Sequence, residues 1–395
     1  MTPRQPRDVL CRGSGANSFP APKAGGDEER LSLDSLHAVP LASHFRASRI
    51  ALLGCGTVGS AVARRLTAPE KPRSLELTYI VDRRAEQKRQ KFDASGVRWG
   101  STIDEVLESD VDIIVETIGG LDPAADWIRR ALTAGKSVVT ANKQVIARDG
   151  LALWTLAAHH GRQLRFEGAV GGAMPIVRAI SDGLAGDRIT RIVAILNGTT
   201  NAVLSRMEAL GCSIEEALVD ARARGYAEAD PSLDLEGDDA SAKLAILCAL
   251  AFGLRVDPSR IVRRSAAAIT EADFDRALRN GRTLRQLAYA EYDRTTSTLI
   301  AWVAPVAVPR DSMFGRTTGA QNAAIVTGCH AGEVGLLGAG AGGDATAVAI
   351  LSDLAAIARD RAAIVPPPRL SSDFRLQASN FLNLESSEFP LAEAV

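Results

Sequence analysis

The chain has 395 residues, of which 46% are hydrophobic and 24% are charged, a composition typical of a globular protein large enough for two domains. A net charge of -1 excludes the basic field that would recruit nucleic acid or an anionic membrane. No uncharged apolar run could span a bilayer, the five cysteines form no CxxC pair, and the five histidines lack metal-ligand spacing. We therefore expect reduced thiols in a cytoplasmic protein, and neither a zinc enzyme nor a membrane protein.

Residues 1–47 are rich in Pro, Gly, Ser and charge and show no sustained periodicity, so they predict a flexible N-terminal extension. Acidic residues at Asp27, Glu28 and Glu29 argue against a transit peptide, since such peptides are poor in acids. Residues 366–395 begin with a run of three prolines and are predicted to form an irregular C-terminal tail.

Ordered structure is predicted to begin with a strand, a glycine-rich turn, a helix and a second strand: Arg49–Leu53, Gly54–Gly59, Thr57–Leu66 and Leu75–Val81. The turn reads GCGTVG, a GxGxxG pattern in the strand–helix–strand context that makes it specific for a dinucleotide. Its glycines allow a tight turn, close approach of a pyrophosphate and close helix packing, and the helix N-terminus attracts the phosphates. The predicted cofactor residues are Gly54, Gly56, Thr57, Val58 and Gly59.

Asp82 follows the second strand, 23 residues after Gly59, where an acid binds the ribose of NAD. The next residues, Arg83 and Arg84, could instead hold the 2′-phosphate of NADP. If these arginines draw Asp82 into an ion pair, with Lys88 adding to the field, its charge would no longer repel a phosphate. We therefore expect both cofactors to be used, with a modest preference for NADP.

Two more buried strands are predicted at Val111–Glu116 and Lys136–Thr140. Thr117 and Lys143 follow them, at the carboxyl ends of the strands, where ligands of such sheets bind. A lysine in the first turn of a helix opposes the helix dipole, which favours a ligand contact for Lys143.

The segment EGDDASAKLAILCAL combines a polar start with a helix that is apolar on every face from Leu244 onward. Asp239 and Lys243 are four residues apart, so they lie on one helix face. From this fragment alone the pair is either an ordinary salt bridge or part of a reactive site.

The chain resembles the homoserine dehydrogenase family from Ile50 to near Ala363. The motifs that carry the resemblance, in chain order, are GCGTVG, ETIGG, GKSVVTANK, FEGAVGGAMPI, NGTTN, GYAEADPSLDLEGDDASAKL and GAGAGGDATA. The resemblance implies NAD(P)-dependent interconversion of L-aspartate 4-semialdehyde and L-homoserine, a step of threonine and methionine biosynthesis. It also implies that the chain forms a homodimer or a larger homo-oligomer.

The resemblance assigns the catalytic proton transfer to Lys243, with Asp239 orienting it. The substrate is a zwitterionic amino acid, and Glu228 and Asp234 match acidic contacts suited to its ammonium group. Tyr226 lies beside them as a hydroxyl donor. The substrate carboxylate could use the amides of Gly198 and Thr199.

The segment FEGAVGGAMP resembles the family's sodium site, which implies Glu167, Val170, Gly172 and Met174 as oxygen ligands. A hinge between domains is the alternative for this segment. The second glycine-rich turn contains Gly338 and Gly340; no strand–helix–strand unit with a suitably placed acid follows it, so it is not a second dinucleotide site. As in the family, it is expected to line the nicotinamide pocket.

The predicted fold class is α/β: a doubly wound (Rossmann) nucleotide-binding domain with an inserted α+β substrate and dimerisation domain. The nucleotide domain covers residues 48–170 and is completed by 336–365, and the inserted domain covers 171–335. In the inserted domain we predict a strand at Arg188–Leu196 and a helix at Ser213–Arg224 with a capping box.

Two other functions stay open from the sequence. Another amino-acid semialdehyde oxidoreductase, working through a thioester, would need a cysteine nucleophile beside a histidine, and Cys329-His330 is the only adjacent pair. A non-catalytic NADP-binding regulator would need neither Lys243 nor Glu228.

Overall fold

The computed structural model describes residues 46–90, 92, 96–227 and 230–377. The predicted N-terminal extension therefore lies almost entirely outside the described residues, as do Glu228 and the end of the predicted C-terminal tail. Within the described ranges, no helix is both long enough and apolar enough to cross a membrane.

The first part of the chain forms a six-stranded, entirely parallel sheet in the order β3-β2-β1-β4-β5-β6. This arrangement confirms the predicted doubly wound fold. Its strands are β1 Ser48–Leu53, β2 Leu75–Val81, β3 Arg98–Gly100, β4 Ile113–Glu116, β5 Ser137–Thr140 and β6 Leu164–Arg165. Its helices are α1 Thr57–Thr67, α2 Ala85–Arg89, α3 Asp104–Glu108, α4 Ala124–Thr133 and α5 Lys143–His159.

Two glycines of the GCGTVG turn are required by its geometry. Gly54 has φ +88°, a left-handed conformation that disfavours residues with a Cβ. A Cβ on Gly59 would lie 2.0 Å from the carbonyl oxygen of Gly54, so a side chain there would push α1 away from β1. The turn therefore brings the start of α1 to the carboxyl end of β1.

The second sheet has seven strands in the order β12-β11-β7-β9-β10-β13, with β8 also paired to β10. Its strands are β7 Ile189–Ile195, β8 Val262–Arg263, β9 Arg282–Asp293, β10 Thr298–Pro309, β11 Gln321–Gly328, β12 Gly332–Ala339 and β13 Arg375–Gln377. The helices of this half are α6 Ile176–Arg178, α7 Gly198–Leu210, α8 Ile214–Ala223, α9 Ser232–Leu235, α10 Asp238–Phe252, α11 Glu271–Arg279, α12 Met313–Arg316 and α13 Gly343–Arg359. The predicted capping box is present: Ser213 and Glu216 bond each other's backbone amides at the start of α8.

The described part of the C-terminal tail, which was predicted to be irregular, contains a strand. Arg375–Gln377 form β13, which pairs in parallel with Thr298–Ile300 of β10. A strand of three residues carries too little alternation to be recognised locally, and it forms here because β10 offers an edge to pair with.

Helix α13 returns the chain to the first sheet after the second sheet is complete. Its buried residues Ala347, Ile350 and Leu354 share one apolar cluster with Ile50 and Leu52 of β1. The glycine-rich turn that precedes α13 is thereby carried back to the beginning of α1.

Candidate active site

The polar start of α10 forms the centre of the candidate site. Gly237, with φ +85°, turns the chain into the helix, and Asp239 and Lys243 then lie one turn apart. The Lys243 ammonium is 2.8 Å from Asp239 Oδ2 and donates to the carbonyl oxygen of Leu196, also at 2.8 Å. Only 11% of the Lys243 side chain and 6% of the Asp239 side chain are exposed. Asp239 and Lys243 thus form a buried salt bridge.

Lys143 reaches the same aspartate from the nucleotide-binding sheet. The side chain of Asn142 accepts a hydrogen bond from the amide of Val145 and caps α5, which places Lys143 at the first helical position. Lys143 Nζ lies 2.5 Å from Asp239 Oδ1, so each oxygen of this carboxylate faces a different lysine. Burial by itself raises the pKa of Asp239, but the charges of Lys243 and Lys143 outweigh it and leave the pKa below its ordinary value.

Asn197 joins two acidic residues of the site and was not predicted from the sequence. Its Nδ2 donates to Asp234 Oδ1 at 2.7 Å and to Asp239 Oδ2 at 2.8 Å, while its Oδ1 caps α7 through the amide of Thr200. Burial raises the pKa of Asp234, and the neighbouring charge of Asp239 acts in the same direction. An Asn before a predicted helix could have been recognised as a cap, but nothing local indicates the two carboxylates.

The remaining predicted substrate residues are only partly brought together. Gly198 and Thr199 begin α7 directly after Asn197, so their amides lie at the edge of the cluster. Thr199 Oγ1 donates to the carbonyl oxygen of Tyr226 at 2.7 Å, whereas the Tyr226 side chain lines a separate small cleft with residues including Arg206. Glu228 lies outside the described residues.

A cleft of 280 Å³ lies over the carboxyl ends of β1, β2 and β4. Five predicted cofactor residues line it: Gly54, Gly56, Thr117, Arg83 and Arg84. Thr117 Oγ1 donates to the Gly54 carbonyl at 2.8 Å and fixes the glycine turn to the end of β4. Lys143 is not among the residues that line this cleft; it belongs to the Asp239 cluster.

The partner of Asp82 differs from the one expected. Its carboxylate pairs with Lys88 of α2 at 2.5 Å, and it accepts from the amides of Cys55 and Arg84. The arginine side chains therefore do not draw Asp82 aside; Arg84 contributes only its backbone. Burial raises the pKa of Asp82, but the Lys88 bond and the two amides outweigh this and lower it.

The second glycine-rich turn packs too closely for side chains. A Cβ on Gly338 would lie 3.0 Å from Met174 Cα, and one on Gly340 would lie 2.1 Å from Asn322 Oδ1. A Cβ on Gly343, at the end of the turn, would lie 2.9 Å from the carbonyl oxygen of Thr57. The turn therefore lies beside the first turn of α1, which contains Thr57 and Val58.

The predicted sodium ligands belong to a tightly packed bend of the chain. Gly172 has φ +64°, and a Cβ there would lie 2.6 Å from the carbonyl oxygen of Ala339. The Glu167 carboxylate accepts from the amides of Val177 at 2.9 Å and Arg178 at 2.8 Å, and burial raises its pKa to about 7. The Glu167 carboxylate is thus hydrogen-bonded to amides of α6. We therefore expect main-chain oxygens, rather than this carboxylate, to coordinate a sodium ion.

No group of three or more His, Cys, Asp or Glu side chains in the described part of the chain is arranged to hold a metal ion. The cysteine–histidine pair considered for thioester chemistry lies elsewhere in the fold. Cys329 and His330 are in the turn between β11 and β12, where the His330 amide donates to Asp187.

Two family models match most of the residues that the structure describes. The model described as homoserine dehydrogenase, NAD binding domain, matches residues 54–167, and the model described as homoserine dehydrogenase matches residues 175–355. Homoserine dehydrogenase of Mycobacterium bovis is 39% identical over 319 residues, covering 79% of this chain and 72% of the relative. That of Synechocystis is 38% identical over 312 residues, covering 78% and 72%.

Solved structures of similar fold carry the same description. A homoserine dehydrogenase from Thiobacillus denitrificans superposes with a TM-score of 0.76 at 32% identity, covering 84% of this chain and 80% of that chain. A hyperthermophilic archaeal homoserine dehydrogenase in complex with NADPH has a TM-score of 0.67 at 27% identity, covering 82% and 100%.

Proposed function

This chain belongs to the homoserine dehydrogenase family, and on that premise we propose how its residues oxidise L-homoserine to L-aspartate 4-semialdehyde and catalyse the reverse reduction. Homoserine dehydrogenases are NAD(P)-dependent oxidoreductases, and the glycine turn at the end of β1 has the geometry that such a cofactor needs. The bound nucleotide supplies the hydride acceptor or donor. The chain's own residues must bind the amino acid and move one proton.

The observation that carries the mechanism is the hydrogen bonding of Lys243. An ammonium group has three N–H donors. Two of them are held at 2.8 Å by Asp239 and by the Leu196 carbonyl, and the third has no acceptor among the described residues. In the reduction Lys243 gives this third proton to the aldehyde oxygen, and in the oxidation it takes the hydroxyl proton back. Asp239 orients the amine and is not itself the proton donor.

The two ends of the amino acid need opposite charges. Asp234 is held by Asn197, which also contacts Asp239, and we assign both Asp234 and Glu228 to the substrate ammonium group from their places in the motif. The amides of Gly198 and Thr199 at the start of α7 would donate hydrogen bonds to the substrate carboxylate.

The function is tested by following nucleotide reduction with purified chain and L-homoserine, using NADP and NAD in separate series. Turnover with L-homoserine as the sole substrate is expected. A non-catalytic regulator would bind the nucleotide and give no turnover, and an enzyme working through a thioester would lose activity when Cys329 is replaced by Ala.

Cofactor preference is proposed to favour NADP, because Lys88 already neutralises Asp82 while Arg83 and Arg84 line the same cleft. Replacing both arginines by Ala should raise KM for NADP about tenfold, since charge-assisted contacts to a phosphate are lost. KM for NAD should change by less than about twofold, because NAD lacks the phosphate.

The matched control for this pair is Arg129→Ala with Arg130→Ala, two adjacent arginines on α4 that pair with Asp126 and Asp104. This control should leave both KM values unchanged. Equal losses for NADP and NAD in the Arg83/Arg84 variant would contradict the proposal.

Sodium binding and homodimer formation stay proposals taken from the family. The bend at Gly171-Gly172 supplies main-chain oxygens, which suit a monovalent cation, while the Glu167 carboxylate is already bound to backbone amides. Adding sodium to protein dialysed into choline chloride should raise the midpoint of thermal unfolding. No response to sodium would rule out the site, and light scattering would check the dimer.

A further inference from the structure

Glu116 is a fully buried carboxylate that the mechanism above does not use. It ends β4 and accepts three hydrogen bonds. Its Oε1 accepts from the amides of Ile118 at 2.7 Å and Gly119 at 3.1 Å, and its Oε2 accepts from the Thr140 hydroxyl at 2.5 Å. Both side-chain oxygens accept here, so Glu116 satisfies all three donors, whereas an amide in its place would direct an N–H at one of them.

Thr140 continues this network into the next strand end. Its hydroxyl oxygen accepts from the amide of Asn142 at 3.0 Å. The Asn142 side chain then donates to the Gly120 carbonyl at 2.6 Å and caps α5 through the amide of Val145. Two side-chain hydrogen bonds, Thr140–Glu116 and Asn142–Gly120, therefore join the turn after β5 to the end of β4 and its loop, in addition to the backbone bond from the Ala141 amide to the Glu116 carbonyl at 3.3 Å.

These two segments serve different parts of the proposed site. Residues 117–119 of the loop after β4 line the nucleotide cleft. The turn after β5 leads directly into Lys143, whose ammonium contacts Asp239. A shift of the turn relative to the loop would change the separation between cofactor and substrate groups, to which hydride transfer is sensitive.

We infer that Glu116, Thr140 and Asn142 are positioning residues that fix Lys143 and the Asp239 cluster against the nucleotide-binding loop. The inference rests on the proposed function, because it takes Lys143 to belong to the substrate site. None of the three needs to touch the substrate.

The sharpest variant is Thr140→Val, which keeps the shape of the side chain and removes the hydroxyl. We expect kcat/KM for homoserine to fall about tenfold, because a buried carboxylate loses a donor and the turn before Lys143 loses its anchor. Thr140→Ser, which restores the hydroxyl, should recover most of the loss. Thr78→Val is the matched control: Thr78 is a buried threonine of β2 whose hydroxyl donates to the Ile50 carbonyl, and its loss should not affect kcat/KM.

A double-mutant cycle with Lys143→Met separates positioning from general destabilisation. If Thr140 acts through Lys143, adding Thr140→Val to Lys143→Met should lower kcat/KM by no more than about twofold. Additive losses, or full activity in Lys143→Met, would overturn the inference while the homoserine reaction stands. Absence of homoserine oxidation in the unmodified chain would instead overturn the proposed function.

Discussion

Lys243→Ala is expected to lower kcat for homoserine oxidation about a hundredfold or more, the usual range for loss of a general acid–base group. The amine is held on two sides by Asp239 and the Leu196 carbonyl, and its third donor is the one proposed to exchange a proton with the substrate oxygen. Alanine supplies neither the proton nor the charge. Initial rates at saturating homoserine and cofactor measure the effect.

Cofactor affinity should be retained in this variant, because Lys243 is not among the residues that line the nucleotide cleft. Fluorescence titration with NADPH gives the Kd independently of turnover. Lys136→Ala is the control: Lys136 is a partly buried lysine that donates to the Ser109 carbonyl, away from the cluster. Unchanged kcat in Lys243→Ala would remove Lys243 from the mechanism.

Asp239→Asn is the second change with a large expected effect. The carboxylate separates two ammonium groups, with Lys143 on Oδ1 and Lys243 on Oδ2, and it also accepts from Asn197. The amide keeps the size of the side chain, but it leaves two cations without their shared counter-charge and directs an N–H at one of them. We expect kcat to fall about a hundredfold through misorientation of Lys243. Asp238→Asn is the matched control, because Asp238 is the adjacent residue and pairs with Arg263.

The same variant has an expected pH signature in stability. The pKa of Asp239 is lower in the folded protein than in the unfolded chain, where it is about 3.9. The carboxylate therefore contributes fully to the free energy of unfolding above the unfolded-state pKa, and this contribution is lost as the pH falls through the folded-state pKa. The difference in unfolding free energy between wild type and Asp239→Asn should be constant from about pH 5 to 8 and narrow below about pH 4. Urea unfolding at several pH values measures it. If the difference in unfolding free energy instead decreased near neutral pH, the pH dependence would have to come from a group other than Asp239.

The sequence by itself determined the strands and the glycine turn that form the proposed nucleotide cleft. Strands β1 and β2 lie where strands were predicted at Arg49–Leu53 and Leu75–Val81, and the GCGTVG motif runs from the end of β1 into the first turn of α1. These features are local: buried parallel strands have apolar residues on both faces, and the turn needs glycine at fixed positions. The pairing of Asp239 with Lys243 was accessible for the same reason, since residues four apart share a helix face.

Other contacts follow only from the packing of distant segments. Asp239 is shared with Lys143 of α5 and with Asn197 of α7, and Glu116 meets Thr140 across two parallel strands. The sequence pattern placed Lys143 at a strand end, but it could not say which carboxylate the lysine would meet.

The ion pair of Asp82 and the pairing of β13 also could not be predicted from local sequence patterns. The sequence places three cationic residues, Arg83, Arg84 and Lys88, close to Asp82. In the structure α2 brings Lys88 to the Asp82 carboxylate, and neither arginine side chain pairs with it. Strand β13 exists because β10 presents an edge to it. Periodicity and turn chemistry describe a residue's own neighbourhood, whereas an ion pair or a strand edge depends on two segments whose separation is set by the packing of the whole core.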